Sequence, residues 1–416
     1  MQNVQHDVVI VGAGAGGVAV AASLLKRRAN LNIALIDPAK EHSYQPGWTL
    51  VGGGVFKQSQ TRRPMSSVIP NGVKHYSEAA DTFQPDENSV TLANGQVISY
   101  KALVVSPGLK LNWEAIPGLK ETLGKNGVTS NYQWETAPYT WHNVQQLKKG
   151  KAIFTQPPMP IKCAGAPQKA MYLSCSEWLS QGVLGDIDVE FCNAGGVLFG
   201  VADYVPALMS YIEKYRIQLN LNQTLIAVDG EQQVATFEVT NAQGEKEQIE
   251  KSFDMLHVCP PQCALNFIKN SPLSDDAGWV DVYPDTLQHK KYNNVFGLGD
   301  GTNTPNAKTA AAARAQAPVV AENVLSVLVQ QSPRALYDGY GSCPLTVERG
   351  KIVLAEFVYG GKVKPSFPNW LIDGTKPSYL AWLLKEKSLP WVYWEGMLKG
   401  REWLVSPVIS NTPPTR

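Results

Sequence analysis

Residues 7–11, Asp-Val-Val-Ile-Val, run straight into Gly12-Ala-Gly14-Ala-Gly-Gly17. A continuous β-branched run of this kind reads as a buried parallel strand. The glycines that follow have separate duties: Gly12 allows a tight turn, Gly14 lets a pyrophosphate approach the backbone, and Gly17 lets helix and strand pack closely. A lone GxGxxG is weak, but here an Ala-rich helix to about Arg27 follows, then a second apolar run, Leu31 to Ile36, ending at Asp37. That is a βαβ unit whose helix N-terminus offers free N–H groups to phosphates and whose acidic residue can accept ribose hydroxyls.

Later segments say which dinucleotide. Asn294-Val-Phe-Gly-Leu-Gly299-Asp300 is a strand ending in a Gly-Asp turn, and an Ala-rich helix begins at Lys308-Thr309. It resembles the C-terminal FAD motif of flavoproteins with two dinucleotide-binding domains, in which the Asp meets the ribityl chain. Thr286 extends the match, and Val104-Val-Ser-Pro-Gly108 resembles the short "ATG" segment of the same superfamily. FAD is therefore the expected cofactor, held by Gly12, Gly14, Gly17, Asp37, Gly108, Gly299, Asp300 and Lys308. Lys308 and its helix would stabilise negative charge on reduced flavin.

The pattern restarts near residue 150, with strand KAIFTQP, helix AGAPQKAMYLSCSEWLS, strand DIDVEFCNAGG, a helix at about 203–215 and strands over about 223–258. Where a nicotinamide cofactor would need a second Gly-rich loop, the chain reads Pro157-Pro-Met-Pro-Ile-Lys-Cys163-Ala-Gly-Ala-Pro-Gln-Lys169. Prolines and a Lys-Cys pair leave no close backbone approach, so NAD(P)H is not expected as a substrate. The expected fold class is α/β: two Rossmann-like domains plus a C-terminal amphipathic, membrane-interacting region. The expected boundaries are 1–112 with 255–330 for FAD, 113–254 for the second domain, and 331–416 for a quinone- and membrane-interacting region.

KCAGAPQKAMYLS, MLHVCPPQ, AGWVDV, TLQHKKYNNVFGLGD, KTAAAARAQ, YDGYGSCPL and VLAEF together resemble the sulfide:quinone oxidoreductase family, best the branch with the mitochondrial enzyme. The likeness runs from Gly12 to about Trp394. It implies a redox pair, Cys163 and Cys343, with Cys163 the flavin-facing thiolate and Cys343 the sulfur that accepts sulfide; the sequence does not exclude the reverse. It also implies quinone as electron acceptor and a small thiophile (a thiol, sulfite or cyanide) as sulfane acceptor. Lys162 and Lys169 are candidates for lowering a thiolate pKa, although Lys169, six residues from Cys163, is not on the same helical face. Phe357 and Tyr359 are candidates for lining a quinone pocket. Cys175 and Cys192 read as small buried residues, and Cys259 lies outside the family pattern. A flavoprotein alternative of the same fold is an NADH:quinone oxidoreductase; others are a subunit serving a cytochrome and a flavin-binding redox sensor.

The six cysteines form no dense disulfide framework, and neither cysteines nor histidines show metal-ligand spacing. A net charge of +1 gives no reason to expect nucleic acid. No secretory signal is recognisable, and no run reaches the roughly 18–20 apolar residues of a spanning helix. Yet Trp370, Tyr379, Trp382, Trp391, Tyr393, Trp394 and Trp403 crowd the C-terminus between leucines and flanking Lys385, Lys387, Lys399 and Arg401. Tyr379, Leu380, Leu383, Leu384 and Lys387 fall at helical spacing, and Pro390 should break the helix. Basic-flanked aromatics suit an interfacial helix; docking on the chain's own core or on a second copy fits the pattern as well. A quinone acceptor favours membrane contact, so peripheral attachment to an inner or cytoplasmic membrane, on its cytoplasmic face, is expected. Oligomeric state is left open.

Overall fold

The structure, a computed structural model, describes residues 4–241 and 243–414. The strand Val4–Val11 is buried over its second half and pairs in parallel with Ile33–Ile36 on one side and Val97–Val105 on the other. Lys74–Tyr76 extends the parallel edge, and Val295–Gly297 adds in parallel to the far end of Val97–Val105. The hairpin Ala80–Gln84 and Ser89–Leu92, closed antiparallel on the start of Val97–Val105, completes a seven-stranded sheet. The helix Ala15–Arg27 makes the crossover between the first two strands and packs against Ala310–Leu328. Its Gly16–Leu24 stretch is buried throughout, which explains the Ala/Gly/Val composition: large side chains would hold the two helices apart.

A second sheet is wholly parallel, in the order Val128–Thr129, Met255–His257, Gly150–Gln156, Ile187–Asn193, Gln218–Leu221. The helix Ala166–Ser180 links its third and fourth strands, the Rossmann-like arrangement expected. Met255–His257, just past the expected boundary at 254, pairs in this sheet. Its short apolar run reads equally well as the return to the first domain; parallel pairing with Ala152–Phe154 decides. A three-stranded antiparallel sheet, Gln223–Asp229, Val234–Thr240 and Lys246–Ser252, packs alongside. The two units are joined by a ribbon in which Lys110–Leu111 pairs with Gln262–Cys263.

Beyond Gln331 the hairpin Gly341–Glu348/Lys351–Phe357 lies on the helix Ala166–Ser180. Residues 379–399 then form one helical run, in which α-helical Tyr379–Leu383 and Leu389–Trp391 alternate with π-turns at Leu384–Ser388 and Val392–Gly396. The expected break at Pro390 does not occur. Pro390 sits at the start of a short α-segment, and the wider hydrogen-bond spacing around it removes the need for its missing N–H.

Candidate active site

Three loops converge at the C-terminal ends of the first sheet. Gly12 has φ +100°, and a Cβ there would lie 2.4 Å from the Ser106 carbonyl oxygen; one at Gly17 would lie 1.8 Å from that of Gly12. Both must be glycine for the strand, the helix and Ser106 to pack. Ser106 Oγ closes the junction by donating to the Gly12 carbonyl at 3.2 Å. Gly301 approaches Gly108, where an added Cβ would come within 2.9 Å of the Gly108 carbonyl oxygen. Gly14, Gly108 and Gly299 differ from these: a Cβ on any of them would meet nothing within 4 Å. Three glycines from three motifs thus leave their backbone open to the close approach that a dinucleotide needs. Asp37 accepts from the Ala13 and Ala39 backbone N–H groups at 2.7 and 2.8 Å, with further lone pairs for ribose hydroxyls. The residues present therefore fit FAD.

The Lys308 ammonium is buried and donates to the backbone carbonyls of Asp300 and Thr302, at 2.8 Å each, above the Trp279 ring. It holds the Gly-Asp turn together: buried carbonyls of a tight turn need a donor, and the lysine supplies it. Burial lowers its pKa to about 8, against the pull of Asp300. Burial likewise raises the Asp300 carboxyl, partly opposed by Lys308 and Lys162.

The Pro-rich turn brings Cys163 to the first turn of Ala166–Ser180, and the hairpin brings Cys343 to the same place. Their sulfurs lie 3.6 Å apart. Cys163 is half-buried and Cys343 only 2 % exposed. Lys169 Nζ reaches Cys163 Sγ at 3.1 Å. Helical periodicity argued against this contact, but Cys163 precedes the helix, and its φ of +49° folds the chain back over the first turn. A hydrogen bond from the Cys343 thiol, and then the Lys169 and Lys385 ammoniums, hold the Cys163 thiol well below its usual range despite burial. The same bond, with burial, pushes the Cys343 thiol up. Burial pulls Lys169 down, but the two sulfurs outweigh it and leave it above its ordinary value.

Lys385 was read from sequence as a flank of an interfacial helix. Its π-turn instead buries it, 4 % exposed, with Nζ 3.1 Å from the Pro46 carbonyl and its charge felt at both sulfurs. Burial and Lys169 lower its pKa to about 8. Tyr132, which the sequence did not single out, donates to the carbonyls of Lys162 and Cys163. The expected quinone pair is not brought together. Phe357 packs edge-on to Phe199 in the cluster that holds Cys343, whereas Tyr359 turns to Tyr337 in the core of the first unit and donates to the Pro284 carbonyl. The strand ends at Phe357, so its side-chain alternation does not extend to Tyr359. Cys175 and Cys192 are buried, as is His257, a hydrogen-bond acceptor for the Asn131 N–H.

The family model "Pyridine nucleotide-disulphide oxidoreductase" matches residues 6–143. The mitochondrial sulfide:quinone oxidoreductase of Mus musculus is 40% identical over 395 residues, covering 95% of this chain and 87% of that protein. That of Dictyostelium discoideum is 43% identical over 408 residues, covering 97% and 88%. In fold, the chain is similar to the sulfide:quinone oxidoreductase structure from Aquifex aeolicus, with TM-score 0.79 at 19% identity over 99% of this chain and 100% of that one. With identities of this size over nearly its whole length, the chain belongs to the sulfide:quinone oxidoreductase family.

Proposed function

We propose that the chain oxidises hydrosulfide at the Cys163–Cys343 pair and delivers two electrons through FAD to a quinone. The observation that carries the reading is the approach of these two sulfurs, 180 residues apart in sequence, beside one buried ammonium. In the oxidised pair, hydrosulfide attacks Cys343 Sγ, the Cys163–Cys343 bond breaks, and Cys163 leaves as thiolate while Cys343 becomes a persulfide. The leaving group is assigned by position: the Lys169 ammonium lies 3.1 Å from Cys163 Sγ, where it stabilises a thiolate, whereas Cys343 is only 2 % exposed. A thiophilic anion then removes the outer sulfur, leaving a Cys343 thiol. Re-forming the disulfide releases two electrons and one proton. The Gly12–Gly17 loop, Asp37, Gly108, Gly299 and Asp300 would hold FAD, which would supply a two-electron acceptor between the cysteine pair and quinone.

Residues up to about 112 with roughly 259–330 are taken as the FAD-binding unit, and 113 to about 258 as a second unit adapted to carry a cysteine in place of a nucleotide loop. Phe357 remains the proposed aromatic wall of the quinone site. Among the described residues no helix is long and apolar enough to cross a membrane. The final segment instead exposes Trp370 (85%), Tyr379 (62%), Trp391 (54%) and Leu404 (80%), while Trp382 and Trp394 are buried. Large apolar residues left outside a closed core suit shallow insertion at a membrane surface, where quinone is dissolved. Anaerobic mixing of FAD-loaded protein with sulfide tests the reading: rapid flavin bleaching followed by reoxidation on adding quinone is expected, and bleaching by NADH but not by sulfide would overturn it.

A further inference from the structure

Cys163 occupies a left-handed backbone conformation, φ +49°, that residues other than glycine rarely adopt without support. The support is complete. Lys162 N–H donates to Gln262 Oε1 at 2.7 Å, and the Lys162 carbonyl accepts from Tyr132 OH at 3.1 Å. Cys163 N–H donates to the Lys308 carbonyl at 2.8 Å, and the Cys163 carbonyl accepts from Ala166 N–H at 2.7 Å and Tyr132 OH at 3.3 Å. Every backbone polar group of the two residues is paired, and Tyr132 and Gln262 supply the only side chains in the set. Gln262 belongs to the turn Cys259-Pro-Pro-Gln-Cys263, whose residues have no part in the sulfur chemistry described above. Its amide Nε2 lies 3.9 Å from the buried Cys259 Sγ, which helps fix the carboxamide so that Oε1 faces Lys162.

We propose that Tyr132 and Gln262 are positioning residues for the sulfur chemistry: Gln262 at the Lys162 N–H and Tyr132 at the Lys162 and Cys163 carbonyls hold Cys163 in the conformation that aims its sulfur at Cys343 and Lys169. The inference rests on the function proposed above. The physical argument is geometric. Releasing either contact lets φ relax toward ordinary values, which swings the Cα–Cβ bond and carries Sγ off both partners. A loop that merely stabilised the fold would affect all activities alike; a loop that aims one sulfur affects only the steps in which that sulfur reacts.

The test uses full-length, FAD-loaded Tyr132→Phe, Gln262→Leu and Gln262→Glu, the last of which keeps an acceptor for Lys162 N–H. Three rates are measured: anaerobic flavin bleaching by sulfide, reoxidation by a short-chain quinone after dithionite reduction, and alkylation of Cys163 in the reduced protein by iodoacetamide. Loss of one such hydrogen bond is expected to slow bleaching by roughly five- to tenfold in Tyr132→Phe and Gln262→Leu. Alkylation should slow similarly as the thiolate loses its ammonium, reoxidation should stay within about twofold, and Gln262→Glu should run near the unmodified rate. Unmodified bleaching in both Tyr132→Phe and Gln262→Leu, equal slowing of bleaching and reoxidation, or Gln262→Glu as slow as Gln262→Leu would each overturn the proposal. If Tyr132→Phe does not fold, the two Gln262 variants decide. If the unmodified protein is not bleached by sulfide, the functional reading fails, and the alkylation rates still decide on the loop.

Discussion

Replacing Lys169 by Met removes one charge from beside Cys163 and keeps most of the buried volume. At 3.1 Å, an ammonium and a thiolate attract by about 5 kcal/mol at an effective dielectric near 20. That is an upper bound, because the lysine itself, 3 % exposed, is held against its own desolvation. Breaking a buried pair typically costs about 3–5 kcal/mol, part of which is the stranded partner charge. Here Cys163 can escape that part by taking up a proton, so roughly 3 kcal/mol is a fair expectation for the lost thiolate stabilisation. At about 1.4 kcal/mol per tenfold, Lys169→Met should slow thiolate-dependent flavin bleaching by about a hundredfold near neutral pH. Because the defect is a missing thiolate, the rate should climb as pH rises, more steeply than in the unmodified protein at the same hydrosulfide concentration. Anaerobic stopped-flow over a pH series measures both. Bleaching within about twofold of the unmodified protein, with a parallel pH profile, would refute the assignment of Cys163 as the charged partner.

Cys163→Ser and Cys343→Ser should each abolish rapid bleaching by sulfide, while dithionite-reduced flavin in both still reoxidises with quinone; stopped-flow absorbance separates the two steps. Gly14→Val should fold but purify without FAD, because the added side chain fills open space on the cofactor's side of the loop, whereas Gly17→Val should be poorly folded, its Cβ starting 1.8 Å from the Gly12 oxygen; circular dichroism and flavin absorbance tell them apart. His257 is buried and neutral, its pKa lowered by burial from 6.5 to about 3. The unfolded chain therefore binds a proton that the folded chain refuses, so stability present above pH 6.5 is lost progressively as pH falls toward 3, by on the order of 4 kcal/mol. His257→Gln should flatten the dependence of Tm on pH across that window, and an unchanged slope would count against the buried neutral state. Trp391→Glu should weaken sedimentation with liposomes and leave bleaching by sulfide intact.

The two Rossmann-like units were legible because their strands are continuous apolar runs and because Gly12 and Gly17 serve fixed backbone tasks that could be assigned one by one. The site was legible to the level of its two sulfurs, since the family motifs around Cys163 and Cys343 are unusual. What escaped was set by tertiary packing. Lys169 reaches Cys163 only because a left-handed residue lies outside the helix whose periodicity argued against the contact. Lys385 has the sequence neighbourhood of a surface lysine, and a π-turn buries it. Lys308 follows a cofactor motif but spends its donors on the Asp300 and Thr302 carbonyls. Pro390 is a helix breaker by local rule, and the wider spacing of the surrounding hydrogen bonds tolerates it. Only Lys385, whose Nζ meets the Pro46 carbonyl, is decided by a residue remote in sequence; the other three turn on backbone geometry a few residues away, a left-handed residue, a tight turn and π-spacing, which hydrophobic pattern does not encode.

The central claim concerns the bond between residues 163 and 343. Non-reducing peptide mass spectrometry of the oxidised, FAD-loaded protein, repeated after one anaerobic equivalent of sulfide and rapid alkylation, addresses it directly. The expected result is a cross-linked peptide joining Cys163 to Cys343 before sulfide, and afterwards a singly alkylated Cys163 with one additional sulfur on Cys343. Free thiols at both positions in the oxidised protein, combined with undiminished bleaching by sulfide, would contradict it.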